Sequence, residues 1–567
     1  MDRRRFLTGT AGVLGVSYYC GKDLAQANTA TIPENIENFT HLKLHHSSRK
    51  SLSNQDRTSR KVCIVGGGIA GLSAALELAE RNYKVTVLEA APILGGKLHT
   101  RKEFRAGQEF AVEHGLHMWF FQYYNFQNTL ERLGVWEKNF RDFKEVYFEF
   151  KPPYKPQIIR SEGPYPLNML GILRDSENLN ILNAAGTLGA MKDVIFYDHS
   201  TVYERFDHLT FEQWLNQTRV DKRFREVILE PAASVTLNDP QKISAAEMIM
   251  YQHLYFLGHP RAFHRKITTS DHGTAVIEPW AQRLRDLGVS IQTDVRVTGL
   301  QFGGEDSTRV TGVMTQNGLE PYDEVILASD VPGLKQIVMG SIASHAQAQT
   351  CLDALKEKLG TMGVAPQYSV LRVWFDQPIS PNRPYVQSVV ESSQYRPINL
   401  VSITSMFEAE AQEWAVRTGG SIVEFHLYNT PQFATLSEEE IWREIEETAL
   451  ELLPELKAAG ARPIDFSLGR FKNFTSLEAG QGLNRPHSSY PRSLGIQNLA
   501  LAGDCIQTTY PSALMERALA TGREAASLVL QVDNIDAVAL KVPSMRGPGL
   551  VPRSRSSHAS EFTQQVR

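Results

Sequence analysis

The stretch that decides the fold runs from Lys61 to Ala90: KVCIVGGGIAGLSAALELAERNYKVTVLEA. Lys61–Val65 is a short apolar run that reads as a strand. Gly66, Gly68 and Gly71 follow at G-x-G-x-x-G spacing. IAGLSAALELAERN continues as a helix, with Leu72, Ala75, Leu76 and Ala79 along one face, and KVTVLE returns as a second strand. Each glycine has a physical task. Gly66 permits the tight turn, Gly68 lets the backbone approach a pyrophosphate, and Gly71 lets the helix pack closely on the strand. Unpaired N–H groups at the helix start favour the negative charge of phosphates. Glu89 ends the second strand, placed to accept from a ribose hydroxyl and to repel a 2′-phosphate. Strand, glycine turn, helix, strand and terminal carboxylate in that order predict a dinucleotide site. They do not choose between NAD and FAD.

Three further stretches bear on that choice. AAPILGGKLHT follows the second strand and contains Gly95, Gly96 and Lys97. EHGLHMWFFQYYNFQNTLERLGV begins at Glu113, and NLALAGDCIQTTYPSALMERALATGREAASLVL begins at Asn498. Together they resemble the flavin amine oxidase and phytoene desaturase superfamily. Within it the likeness is to carotenoid desaturases of the plant and cyanobacterial type, including isorenieratene-synthase-like relatives. The stretch YPLNMLGILRDSENLNILNAAGTLGAMKDV from Tyr165 and the stretch LTFEQWLNQTRVDKRFREVILEPAASVTLNDPQKISAAEM resemble the same group. The similarity runs from about Lys61 to Leu530.

The resemblance implies an α/β fold: a Rossmann-like FAD-binding domain of the GR2 type with an inserted mixed α+β substrate domain. It implies FAD, and it transfers residue by residue. Gly66, Gly68, Ala70 and Gly71 would contact the pyrophosphate and Glu89 the adenosine ribose. Gly95, Gly96 and Lys97 match a Gly-Gly-Arg segment beside the pyrophosphate; Lys keeps the charge and loses the planar fork. The backbone of Val295 would meet the adenine. Gly503 and Asp504 would lie near the ribityl chain and pyrophosphate, and Met515 by the flavin ring. Gly115, Leu116, His117 and Met118 would approach the flavin from the Gly-Leu-His loop. The family commonly reads Met-Glu-Gly-Ala where this chain reads Met515-Glu516-Arg517-Ala518, so Arg517 departs from the pattern.

The implied activity is removal of a hydride from a carotenoid or other polyprenoid, in the manner of phytoene and carotene desaturases. The reduced flavin would then pass its electrons to a membrane quinone. The alternatives are a flavin amine oxidase, a squalene-type dehydroxylase, and a flavin- or carotenoid-binding protein without turnover. No nucleophile triad, HExxH or paired metal spacing is visible, so no metal is expected and no catalytic acid or base is assigned. His114 and His117 flank a glycine and could take a proton or polarise a bound group.

The rest of the chain bounds this reading. It has 567 residues, 42% hydrophobic and 22% charged, a core-forming balance. The net charge of -4 gives no basic surplus for a nucleic-acid partner. Cys20, Cys63, Cys351 and Cys505 are scattered, with no CxxC pair. Residues 1–27 read as a twin-arginine leader: Arg3, Arg4, Phe6 and Leu7, an uncharged run to Gly21, and Ala25-Gln26-Ala27 as a cleavage site. That implies export to a periplasm or thylakoid lumen, with peripheral attachment to a membrane as the other placement. Residues 28–59 read as a linker, and its His41, His45 and His46 as solvated. The FAD domain is expected over 60–150, 265–340 and 460–531, the substrate domain over 151–264 and 341–459, and a disordered tail over 532–567. Leu179–Tyr197 carries apolar residues at helical spacing, either a core helix or an amphipathic one that dips into a bilayer. His117 to Phe126 is dense in aromatic residues and is expected to be mostly core.

Overall fold

The computed structural model describes residues 37–39, 59–159 and 173–547, with short breaks at 144–145, 174–175, 260, 263, 305–306, 385 and 390–394. The leader and the three linker histidines lie outside the described residues.

Strand β1 (Lys61–Val65), helix α1 (Ile69–Ala79) and strand β2 (Lys84–Leu88) form the expected unit. Strand β3 (Ser290–Gln292), strand β4 (Glu324–Leu327) and strand β5 (Leu499–Leu501) complete an all-parallel sheet in the order β3-β2-β1-β4-β5. Such a sheet is covered on both faces, which is why β1 and β4 read as unbroken apolar runs. Every residue of α1 is buried. It packs against helix α2 (Leu514–Val532), with Gly522 as the point of closest approach: a Cβ there would lie 2.3 Å from the Ala70 carbonyl oxygen. The opposite face is covered by Leu300, Phe302 and Val313 of a four-stranded, mostly antiparallel sheet and by Leu334 and Leu352 of two helices.

The second region is a seven-stranded mixed sheet. Its order is 463–471, 368–375, 421–427, 398–402, 386–389, 146–149 and 157–159. Strand residues alternate between faces. Leu371, Val373, Phe425 and Leu427 pack against Ile441, Trp442 and Ile445 of the helix Glu438–Leu452. The alternate residues of the same strands face the other way. A helical cap, whose core includes Trp214, Ile228, Met248 and Phe256, closes the end of this region.

Four boundaries differ from the sequence reading. Strands Val146–Glu149 and Pro463–Phe471 join the seven-stranded sheet rather than the FAD domain. Strand Ile342–Ala343 and helix Ala346–Gly360 belong with the FAD side, because Ala348, Leu352 and Leu355 pack on Leu300 and Phe302. The tail expected to be disordered from 532 is placed as far as 547. Leu540–Val542 pairs antiparallel with Glu37–Phe39, inside the expected linker, and the Lys541 N–H donates to Asn125 Oδ1 at 2.9 Å. The helix expected over 179–197 is two helices, Ile181–Ala185 and Leu188–Ile195, broken at Gly186 and the buried Thr187.

Candidate functional site

One cavity of about 660 Å³ joins the glycine turn to the face of the large sheet and the helical cap. Every cofactor residue expected from the sequence lines it, with the exception of Gly71. That glycine is spent on the turn itself. A Cβ at Gly71 would sit 1.9 Å from the Gly66 carbonyl oxygen. Its place is the contact between α1 and the turn, not the cavity wall.

The turn is built from backbone. Gly66 has φ +113°, and a Cβ there would press on the Ala328 carbonyl oxygen at 2.7 Å. Gly68 is the N-cap of α1 and supplies no side chain to the first N–H groups, which leaves them for an anion. Gly67, the middle glycine, had no assigned role. It donates its N–H to Glu89 Oε2 at 2.6 Å, while Glu89 Oε1 accepts from the Ala91 N–H at 2.8 Å. The carboxylate is thus fixed by two backbone donors before any ribose reaches it.

Gly95 and Gly96 lie in left-handed conformations, and the Gly95 N–H donates to the Gly67 carbonyl oxygen at 2.9 Å. This brings the second glycine pair against the first turn. Lys97 Nζ sits 2.6 Å from Asp504 Oδ2 and over the Phe474 ring at 4.8 Å. The lysine is therefore positioned as a point charge by the distant Gly503-Asp504 segment. Val295 closes the β2 side. Asn473 Oδ1 and Gln252 Nε2 are buried on the cavity wall with no hydrogen-bond partner among the described residues.

Residues 514–518 show how the start of α2 is used. Met515 and Ala518, three apart, line the cavity, as does Leu514, whose φ of +52° is strained for a residue with a Cβ. Glu516 turns away and accepts from the N–H groups of Asn125 (2.9 Å) and Phe126 (3.0 Å), the start of the helix Tyr124–Arg132. Arg517, the departure from the family pattern, also turns away. Its Nη2 lies 3.2 Å from Glu247 Oε2 and its Nε donates to the Ser512 carbonyl oxygen. Glu247 is fully buried and also pairs with Arg485, while Tyr203 donates to it at 3.1 Å. Burial would raise the Glu247 carboxyl, but the two guanidiniums outweigh it and hold it below the usual range.

On the aromatic stretch, Trp119, Tyr123 and Phe126 are core, and Phe120 and Tyr123 also reach the cavity. His114 is buried with Nδ1 2.6 Å from the Tyr368 hydroxyl; burial, with His117 and His99 nearby, drives it well below its ordinary range. His117 hands Nδ1–H to the Gly115 carbonyl oxygen at 2.8 Å, and burial with His272 beside it pushes it down to about 3. Both are neutral. A third histidine on the wall, His426, was not singled out by the sequence. Its Nε2 is 2.8 Å from Glu424 Oε1. The signal for it is the pattern S-I-V-E-F-H-L-Y, in which Glu424, His426 and Tyr428 alternate with apolar residues inside one strand.

Among the described residues, the acidic ones on the wall are Glu89, Asp330 and Asp504, and all are engaged. Glu89 braces the turn, Asp504 holds Lys97, and Asp330 accepts from the Gly333 N–H to cap the helix Val331–Met339. The rest of the wall includes Phe148, Ile228, Pro231, Tyr255 and Phe256.

Comparison with known proteins adds the following. The family model described as flavin containing amine oxidoreductase matches residues 69–530. A carotenoid phi-ring synthase of Streptomyces griseus is 30% identical, covering 83% of this chain and 87% of its own length. One from Chlorobaculum tepidum is 26% identical, covering 86% and 91%. The 15-cis-phytoene desaturase of Arabidopsis thaliana is 26% identical over 64% of each chain. Among solved structures, cyclohexylamine oxidase of Brevibacterium oxydans superposes with a TM-score of 0.56 at 14% identity, covering 83% of this chain and 99% of that one.

Proposed function

The chain belongs to the family of flavin containing amine oxidoreductases, and from that premise we propose that it removes a hydride from a carotenoid, at a ring end group. The cofactor is FAD. The residues fit it: a side-chain-free turn at a helix N-terminus for the pyrophosphate, a pre-set carboxylate for the ribose, and unpartnered buried polar atoms along the wall. Gly66, Gly68, Gly95, Gly96 and Lys97 would hold the pyrophosphate, Glu89 the ribose, Val295 the adenine, and Gly503, Asp504 and Met515 the flavin half. When bound, FAD supplies the two-electron acceptor.

The observation that carries the substrate reading is the wall itself. A cationic amine is held most strongly by a free carboxylate, and, among the described residues, each acidic residue on this wall is already bonded elsewhere. An apolar, polyene-like molecule needs none. A ring rather than a linear chain is favoured because the Streptomyces griseus ring synthase is 30% identical over 83% of this chain, and the Arabidopsis phytoene desaturase 26% over 64%.

Attachment to a membrane suits an apolar substrate. Leu182, Leu188, Ile195 and Phe196 are exposed on the broken helix pair, Phe196 by 61%. The buried side of the second helix, Ala190 and Val194, packs into the same cluster as Ile228 and Phe256 of the cavity wall. No helix among the described residues is long and apolar enough to cross a membrane. We therefore read this pair as lying in the bilayer surface, where a carotenoid and a quinone acceptor both dissolve. The leader would direct the folded protein across a membrane; a leader–reporter fusion carrying Arg3→Lys and Arg4→Lys checks this, and unchanged localisation removes it.

The decisive experiment is anaerobic titration of the FAD-loaded protein with β-carotene, phytoene and a panel of primary amines in liposomes. The expected result is flavin bleaching by β-carotene with a more unsaturated product on extraction. Bleaching by amines, with carotenoids left intact, reverses the reading.

A further inference from the structure

The large sheet places an ordered set of polar side chains on the cavity side. Strands 368–375 and 421–427 pair so that Val370 faces His426 and Arg372 faces Glu424. Because alternate residues share a face, Tyr368, Arg372, Glu424, His426 and Tyr428 all emerge on the side away from the helix Glu438–Leu452. Arg372 Nη2 lies 3.0 Å from Glu424 Oε2, and His426 Nε2 lies 2.8 Å from Glu424 Oε1. Glu424 and Arg372 are both buried.

This arrangement fixes a tautomer. Burial would raise the Glu424 carboxyl, but Arg372 overrides it and holds it at about 2. Glu424 is then an acceptor only, so Nε2 of His426 must carry the hydrogen between them. In the neutral ring Nδ1 then carries the lone pair and accepts from the Tyr428 hydroxyl at 3.3 Å. The ring itself lies on the cavity wall, against Gly115 at φ +114°, where a Cβ would come 2.9 Å from Cε1 of His426. The glycine of the Gly-Leu-His loop therefore makes the space this imidazole occupies. The other two histidines of the wall are arranged differently. His117 is oriented by a neutral carbonyl and His114 by a phenol, and neither hydrogen-bonds a carboxylate among the described residues.

We propose that His426 is the proton acceptor of the reaction, with Nδ1 as the accepting atom, and that Glu424, clamped by Arg372, is its positioning residue. This rests on the carotenoid reading above. Two C–H bonds break on neighbouring carbons and one C=C bond forms. One hydrogen leaves with its electron pair as hydride, for which FAD, held by the glycine turn and the Gly503-Asp504 segment, would be the two-electron acceptor. The electron pair of the other C–H bond becomes the new π bond, and its proton forms an N–H bond at Nδ1. The imidazolium sits beside a permanent carboxylate, as in other carboxylate–histidine pairs. The balance closes if the quinone acceptor takes this proton together with the hydrogen and two electrons that FAD would pass on, so that the substrate loses two hydrogens and the quinone gains two.

The test uses the FAD-loaded full chain. His426→Asn is expected to keep its FAD and to slow anaerobic flavin reduction by β-carotene roughly 100-fold or more, the usual worth of a positioned base. Where His426→Asn loses its FAD, His426→Gln is judged by the same rate. Glu424→Gln is expected to slow reduction by about tenfold. A second readout needs no turnover. Nitrogen-15 histidine NMR should show His426 with a protonated Nε2 and a bare Nδ1, and Glu424→Gln should shift it toward the other tautomer. A wild-type rate in His426→Asn, or a protonated Nδ1 in the resting protein, overturns the proposal while the substrate reading stands. A wild type that no carotenoid reduces overturns both.

Discussion

The two ends of the cavity are made by opposite means. At the dinucleotide end, Gly66, Gly67, Gly68 and Glu89 come from one run of chain, and the contacts are backbone N–H groups, open glycine surface and one carboxylate. At the histidine end, Gly115, Arg372, Glu424 and His426 are drawn together from three separate segments, and the ion pairs that order the ring are made by side chains. A site made of backbone tolerates no added atoms. A site made of side chains tolerates replacement but depends on charge balance. The two ends should therefore fail differently.

The sharpest contrast lies within the turn. Gly71→Ala drives a methyl to 1.9 Å from the Gly66 carbonyl oxygen, so α1 must move off the turn. We expect it to cost the apoprotein roughly 3 kcal/mol or more and to abolish FAD content. Gly68→Ala adds its methyl no closer than 3.6 Å to other protein atoms, at an ordinary φ of -81°. It should fold like the wild type while losing FAD affinity by at least about tenfold, because Gly68 lines the cavity. Flavin absorbance per chain and apoprotein melting, measured together, separate the two. Equal behaviour of the two variants removes the distinction between packing glycine and ligand glycine.

Side-chain assembly gives the next effect. Glu247 balances Arg485 and Arg517 in a fully buried site that joins the cap to α2. Glu247→Ala leaves two guanidiniums without their carboxylate and should lower stability by about 3–5 kcal/mol. Arg517→Gly, the residue common in the resembled family, should also destabilise here, because Glu247 is present to meet the arginine. Urea unfolding followed by tryptophan fluorescence checks both, and a stable Arg517→Gly variant denies the coupling.

This difference also explains what could be read in advance. The β1–α1–β2 unit was legible because its signal is local: glycine spacing, apolar runs and a terminal carboxylate. Only the helix end was overrun, since α1 stops at Ala79 and Asn82 takes a left-handed φ of +67°. Arg517 looked like a misfit at the flavin because its partner Glu247 lies 270 residues away. His426 went unnoticed because nothing in S-I-V-E-F-H-L-Y reveals that Arg372 stands opposite. The domain boundaries slipped for a related reason. Strands Val146–Glu149 and Pro463–Phe471 carry no local mark of the sheet they join.

The smallest effect comes from the outer end of the histidine network. Glu408 meets Arg372 through two oxygens, at 3.0 and 3.1 Å. Burial raises its carboxyl to about 7; Arg372 opposes the rise, while Glu113 and Glu424 add to it. The ordinary value is 4.5, so the folded chain prefers the protonated form more than the unfolded chain does. The stability this group contributes is full below that value and is lost as pH rises through 7. Glu408→Gln has no proton to lose. Its stability relative to wild type should therefore rise between pH 4.5 and 8, by up to about 3 kcal/mol. Arg372 keeps Glu424, so the fold should persist. Melting temperatures of the two proteins across that range give the gap directly. A gap that stays flat means Arg372 holds Glu408 ionised throughout, and the network then carries two fixed carboxylates on one guanidinium. A gap that opens means the second carboxyl is neutral at mild pH, which leaves Arg372 committed to Glu424 and so to the orientation of His426.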